Sequence, residues 1–275
     1  TPSFIEDHVS QIPAIQLLVN MGYEYLPPSQ AMELRSSKTS HVLLEDVLKT
    51  QLKKIKSIVR KGKEYEFSDA NISSAIVAIR DLPTPDGFIV ANSALYDLIT
   101  LGKAFEQSID GDKKSHTIHY IDWEYPENNV FHVSEEFSVM RTGRTEHYRP
   151  DIVLFVNGIP TGIIECKSPA LSGTKSPTEL AVEQHIRNFS KDGIRSLYVY
   201  SNLLLSLATN DGSYATTGTS KEFWAKWKEL FLSQAQEQEY WSKLKELKNT
   251  PLANEVKNKL FAERKFGFSY AKPYF

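Results

Sequence analysis

Cysteine is almost absent from this chain, with Cys166 alone among 275 residues. One thiol cannot close a disulfide within the chain, so the fold must rest on a packed core rather than on covalent staples. Long apolar runs are missing as well. None approaches the length of a membrane span or of a secretory signal, and the expectation is a cytoplasmic protein with no membrane partner. No G-x-x-x-x-G-K-[ST] phosphate loop occurs, which excludes ATP binding by a Walker motif within these residues. The seven histidines are scattered and lack the Cys companions or HExxH frame of a zinc site. Excess positive charge is lacking too: 32 Lys and Arg against 34 Asp and Glu leave a net charge of −2, which argues against strong autonomous binding to DNA. Lys49, Lys53, Lys54, Lys56, Arg60, Lys61 and Lys63 do crowd one segment. Such a run is either a phosphate-contacting surface or a solvated helix face, and the second is the simpler reading.

What is present is a chain 41% hydrophobic and 11% aromatic, ample for one large core or two small ones. Its organisation reads helical, then mixed, then helical. Ile5, Val9, Ile12, Ile15 and Val19 recur near helical spacing, with Gly22 as a stop. Further helices are expected over 43–59, 72–79 and 94–101, separated by the turn Pro83-Thr84-Pro85-Asp86-Gly87. Strands are expected over 117–121, 131–140, 197–200 and 203–208, and a charge-rich helical pattern from Lys221 onward.

The most informative stretch is Pro150–Lys167, P-D-I-V-L-F-V-N-G-I-P-T-G-I-I-E-C-K. Asn157-Gly158 between two apolar runs is a strong hairpin signal, folding 163–167 back on 151–156. In a strand, side chains alternate faces, so Glu165 and Lys167 share one face and Cys166 takes the other, where it reads as a packing thiol. Two carboxylates, Asp151 and Glu165, are hard oxygen donors suited to Mg²⁺, and Lys167 beside them can orient water or neutralise charge on phosphorus. Alone, such a triad also fits a solvated strand edge. Both strands, however, are so continuously apolar that they read as buried on both faces, and charges at their ends then need a partner.

The longer phrase Arg149–Pro160 followed by Ile164-Glu165-Cys166-Lys167-Ser168-Pro169 resembles the N-terminal nuclease region of the R (restriction) subunit of type I restriction-modification enzymes. Phe4-Ile5-Glu6-Asp7 is similar to that family's first helix, whose acidic residue completes the metal site, and Glu6 matches it. Glu183–Phe189 resembles the family's Q-x-x-x-Y helix, with Gln184 as the glutamine; Asn188 stands where the tyrosine would be, and Phe189 comes one later. Tyr214–Thr219 and Phe223-Trp224-x-x-Trp227 look like the segment that closes this region.

The resemblance implies an α/β fold with a RecB-like PD-(D/E)xK core, a central mixed sheet flanked by helices and extra helices at both ends. Residues 1–232 would form the nuclease domain, with a helical elaboration at about 27–115, a catalytic core at about 116–218 and the first helix at 4–20. Residues 233–275 would be a helical tail toward a motor domain outside this chain, where any ATP would act. It further implies cleavage of double-stranded DNA with Mg²⁺ (or Mn²⁺) as cofactor, metal ligands Asp151, Glu165 and Glu6, catalytic Asp151, Glu165, Lys167 and Gln184, and the specificity and methylation subunits as partners. The alternatives are a non-catalytic docking module of the same fold, or a stand-alone nuclease. One condition is severe. A plain two-residue hairpin at Asn157-Gly158 would set Asp151 opposite Ile164 and send Asp151 and Glu165 to opposite faces. The metal site therefore demands an odd-length connection or a bulge between Asn157 and Gly162, with Pro160 and Gly162 as its expected seat.

Overall fold

The computed structural model describes residues 6–55, 57–84, 87–169, 174–209 and 211–267. Phe4, Ile5, Lys56, Pro85, Asp86 and residues 268–275, all part of the expectations above, lie outside the described residues. At the centre is a seven-stranded mixed sheet whose spatial order is β1 (Glu24–Leu26), β2 (Phe131–Glu135), β3 (Ile152–Val156), β4 (Ile159–Cys166), β5 (Leu203–Ala208), β6 (Asp211–Ala215) and β7 (Ala225–Lys226). β1 pairs with β2, and β4 with β5, in parallel; all other neighbours are antiparallel. The expected α/β class with helices flanking a mixed sheet is what the chain adopts.

The two hairpin strands are apolar throughout because the sheet is covered on both faces. Val153, Phe155, Ile159, Ile163 and Leu204 point into a core shared with Leu44, Leu48, Ile72, Ile79 and Leu95 of the helical segment between β1 and β2. Ile152, Leu154, Ile164 and Cys166 point the other way, against Ile15 of the first helix and Leu252 and Leu260 near the C-terminal end. Alternation along each strand thus places Cys166 on the face opposite Glu165. A parallel pair needs a crossover, and helix Pro177–Phe189 supplies it between β4 and β5. That helix opens with a capping box, Ser176 accepting from Glu179 N–H while the Glu179 carboxylate accepts from Ser176 N–H, followed by Pro177 where no amide donor is needed.

Several elements differ from expectation for identifiable reasons. Residues 197–200 are not a strand: Arg195–Tyr198 is a short helix whose Leu197 and Tyr198 are fully buried, and an apolar run this short carries no period that separates strand from helix. The strand expected near residue 117 exists as Asp112–Ile118 but pairs with Lys103–Ile109 in a separate hairpin outside the central sheet. The region from Leu43 to Val59 holds helix Glu45–Leu52 and then the first strand of a hairpin, Ile58–Arg60 with Lys63–Tyr65, turned at Lys61-Gly62 where both φ values are positive. The lysine-rich run is therefore not one helix face, and parts of it are held by ion pairs, Lys53 to Asp69 at 2.5 Å and Arg60 to Asp112 at 3.2 Å. After Lys221 no α-helix begins until Gln234.

Helices Gln234–Asn249 and Asn254–Gly267 close the described chain. They pack against the first helix and the adjoining core. The Gln16 and Asn20 side-chain amides donate to the carbonyls of Lys248, Leu247 and Thr250 at the end of the first of these helices, at 2.7–3.1 Å. Among the described residues no helix is long and apolar enough to cross a membrane.

Candidate active site

Asn157 and Gly158 form the hairpin turn with φ of 52° and 84°, the doubly left-handed geometry that suits the twist of the flanking strands. Only glycine fits the second position, because a Cβ there would lie 2.5 Å from the Leu44 carbonyl oxygen. The Asn157 side chain fixes the turn to its surroundings, donating to Tyr120 O at 2.9 Å and Asn129 Oδ1 at 2.7 Å and accepting from Val130 N–H at 2.9 Å. Val156 pairs with Ile159 and Phe155 with Pro160, as in a plain two-residue hairpin. Then the register slips. Leu154 pairs with Gly162, leaving Thr161 as the extra residue of a β-bulge, and Ile152 comes opposite Ile164. The next pair in line is Asp151 and Glu165, so the irregularity that the site requires lies between Pro160 and Gly162.

The side chains converge accordingly. Asp151 Oδ2 accepts from Cys166 N–H at 2.6 Å and lies 3.8 Å from Lys167 Nζ. Lys167 Nζ also donates to Glu6 Oε1 at 3.2 Å and to the Cys166 carbonyl at 2.6 Å, which fastens the start of the chain to the end of β4. Ser10 Oγ adds a bond to Lys167 O at 2.7 Å. Glu165 is completely buried. Its Oε2 accepts from Gln184 Nε2 and its Oε1 from Asn188 Nδ2 at 2.9 Å, two amides one turn apart on helix Pro177–Phe189. Glu6, Asp151, Glu165, Lys167 and Gln184 are thus gathered at one end of the sheet.

Electrostatics follow from this crowding. Burial, and then the neighbouring Asp151 carboxylate, push the Glu165 carboxyl well above the usual range, with Lys167 pulling the other way. Burial depresses the Lys167 ammonium, but Asp151, Glu6 and Glu165 outweigh it and hold the group protonated above its ordinary value. The Cys166 thiol is driven up by burial and by Asp151, Glu165 and Glu6, leaving it un-ionised and unsuited to act as a nucleophile.

Around the cluster lies a supporting layer that the sequence did not disclose. Gln11 Nε2 donates to both Asp151 O and Glu135 Oε2 at 3.1 Å, while Glu135 also accepts from Tyr25 Oη at 2.8 Å and from Arg264 on the last described helix. Glu136 N–H donates to Asp151 O at 3.1 Å, and the Glu136 carboxyl is raised to about 7 by burial and by Asp151, partly offset by Arg149. Behind Gln184 and Asn188, His185 is buried between Tyr198 Oη and the Leu205 carbonyl, each 2.9 Å away. Burial lowers it to about 3, so it stays neutral and structural. Phe189 points away from the carboxylates, stacking on Phe88 and meeting Tyr198 edge-on. Asn188 was visible in the sequence only as a mismatch, yet its position one turn beyond Gln184 is what brings it to Glu165.

Among the described residues no group of three or more His, Cys, Asp or Glu side chains is arranged to hold a metal by itself. The donor set fits in kind a divalent cation that keeps part of its shell for water and substrate oxygens, as Mg²⁺ does, because the strand register brings two hard carboxylates, Asp151 and Glu165, to one place, with the Lys167 ammonium between Asp151 and Glu6. Glu6 engages Lys167 directly, its carboxylate 3.2 Å from the ammonium.

Comparison with known proteins places the chain in context. Residues 3–223 match the family model described as type I restriction enzyme R protein N terminus. The chain is 30% identical over 222 residues to a putative type I restriction enzyme MjaIXP endonuclease subunit from Methanocaldococcus jannaschii, covering 80% of this chain and 20% of that protein. It is 26% identical over 219 residues to the type I restriction enzyme HindI endonuclease subunit from Haemophilus influenzae, covering 78% of this chain and 19% of that one. The chain therefore spans about a fifth of the length of these relatives.

Proposed function

The chain belongs to the family of type I restriction enzyme R protein N termini, and from that premise we propose that it is a RecB-like PD-(D/E)xK nuclease unit hydrolysing phosphodiester bonds of double-stranded DNA. The observation that carries the reading is the bulge at Thr161, which brings Asp151 and Glu165 together beside Lys167 where a regular hairpin would separate them. Asp151 and Glu165 would hold Mg²⁺ or Mn²⁺. When bound, such an ion supplies Lewis-acid polarisation of a phosphoryl oxygen and a more acidic water. Lys167, kept protonated and fixed by Glu6 and the Cys166 carbonyl, would present positive charge where negative charge develops on the phosphate oxygens and can orient the attacking water. Gln184 and Asn188 hold the Glu165 carboxylate in a single orientation by a donor on each oxygen. In the assembled enzyme, the motor and the specificity and methylation subunits would supply ATP hydrolysis and target choice.

The test uses a complete R subunit carrying this region. Asp151→Ala, Glu165→Ala and Lys167→Ala should each abolish DNA cleavage and leave ATP hydrolysis near wild type, and a double variant should be no worse than a single one because the residues act as a unit. Cleavage retained in any of the three would remove that residue from the site. A saturable Mn²⁺ titration of the 275-residue chain that vanishes in Asp151→Ala is the companion result; its absence in the wild type would favour a docking module without catalysis.

A further inference from the structure

Arg187 adjoins Asn188 on helix Pro177–Phe189, and its side chain is exposed. Its Nε and Nη2 donate to Asn188 Oδ1 at 3.3 and 3.2 Å, and Asn188 in turn donates to Glu165. The Arg187 Cζ stands 4.8 Å from the centre of the Tyr148 ring, three residues ahead of Asp151. Amide and ring together hold the guanidinium in a defined place at the rim of the carboxylate cluster, close enough for its charge to act on Glu165. The neighbouring cations are already committed. Arg141, over the same Tyr148 ring at 4.6 Å, binds Glu146 at 3.2 Å and Asp192 O at 2.9 Å; Lys167 binds Glu6. Arg187 forms no ion pair among the described residues, although the chain carries more acids than bases.

A guanidinium has five N–H donors, and the amide of Asn188 engages only one edge of this one. An oriented, exposed arginine with donors to spare, stacked on an aromatic ring, is suited to a phosphate oxygen. We propose that Arg187 is a substrate-binding residue that receives a backbone phosphate of the nucleic-acid strand crossing the site, next to the phosphate presented to Asp151, Glu165 and Lys167. The inference rests on the nuclease reading and deepens it by naming the side of the site, helix Pro177–Phe189 with Tyr148, along which the strand runs.

The experiment measures binding of a fluorescent 20-base-pair duplex to the 275-residue chain by anisotropy, in EDTA at low ionic strength and across a salt series. Arg187→Gln keeps hydrogen-bonding capacity without charge; Arg187→Lys keeps charge without the fork; Lys63→Ala on the exposed hairpin is the control. Arg187→Gln should weaken binding about fivefold or more and lower the salt slope by about one, as loss of one phosphate contact requires, with Arg187→Lys in between and Lys63→Ala unchanged. Mn²⁺ affinity of the free protein should stay within about twofold of wild type in all of them. Unchanged duplex affinity and slope in Arg187→Gln would overturn the proposal, as would undetectable duplex binding by the wild type. An equal loss of Mn²⁺ affinity would overturn it differently, making Arg187 a positioning residue that acts through Asn188. If Mn²⁺ binding and cleavage fail while the salt-slope effect holds, the nuclease reading falls and Arg187 remains a phosphate contact.

Discussion

Glu165→Gln should make the metal-free protein more stable while removing its response to metal. Glu165 is fully buried, and its two oxygens are served by Gln184 and Asn188, so the side chain is well held but not electrically balanced. The one nearby ammonium, Lys167, is shared with Glu6 and Asp151. A carboxyl raised above its unfolded value contributes its full stability only below that unfolded value, and loses it as pH rises through the folded one. At neutral pH the charged form is therefore a cost, on the order of 1–3 kcal/mol for a buried carboxylate without a matched cation. Glutamine removes the charge, keeps the volume and can donate to Asp151, while the amides of Gln184 and Asn188 can turn to suit it. At roughly 2–4 °C per kcal/mol for a chain of this size, the melting temperature in EDTA should rise by about 2–12 °C at pH 7. Wild type should gain about 2.7 kcal/mol from Mg²⁺ at a hundred times its dissociation constant, and the variant essentially nothing. The assay is thermal unfolding followed by circular dichroism, with and without Mg²⁺, at pH 5 and pH 7. The gap between variant and wild type should be smaller at pH 5. A lower melting temperature for Glu165→Gln in EDTA at pH 7, or an undiminished Mg²⁺ response, would refute the account of Glu165 as a strained metal ligand.

Two further outcomes follow from the supporting layer. Asn188→Ala leaves Glu165 Oε1 without its donor and should weaken Mn²⁺ binding about tenfold by calorimetry, while Phe189→Leu, which alters only packing away from the carboxylates, should not; equal losses would mean that Asn188 matters only to the fold. Glu136, raised to about 7 from an ordinary carboxyl value, favours the folded state fully below its unfolded value of about 4.5 and withdraws that contribution as pH rises through about 7. Glu136→Gln should flatten the pH dependence of chemical-denaturant stability in that window by up to about 3 kcal/mol, and an unaltered profile would show that Glu136 does not titrate there.

The parts of the fold that could be read directly were those with a period or a punctuating pair. Asn157-Gly158 marked the central hairpin, the doubly apolar runs marked strands buried on both faces, and Ile12, Ile15 and Val19 marked the first helix. The four residues Leu197–Tyr200 carry no such signal, and tertiary packing made a helix of part of what composition suggested was a strand. The break of the lysine-rich segment into helix and hairpin turned on Lys61-Gly62, a turn pair that a count of charges overlooks.

For the site, what could be read was what lies on one strand or one helix, and what could not be read was what arrives from far away. Glu165 and Lys167 share a face by alternation, and Asp151 joins them once the hairpin is granted one extra residue; that residue follows from the requirement itself, and Thr161 supplies it. Gln184 and Asn188 share a helix face by their spacing, and the asparagine, standing where the family pattern has a tyrosine, serves the second oxygen of Glu165. Gln11, Glu135 and Arg264 meet across 124 and 129 residues of chain, and no local pattern links them. Of the three, Gln11 reaches the Asp151 carbonyl directly, and Arg264 joins it through the shared Glu135 carboxylate, so the backbone at Asp151 is tied to the first and last described helical segments as well as to its own strand. A short motif can therefore name residues that the fold gathers at one place, while the precision with which they are held is a property of the whole domain and becomes legible only when the distant segments are in place.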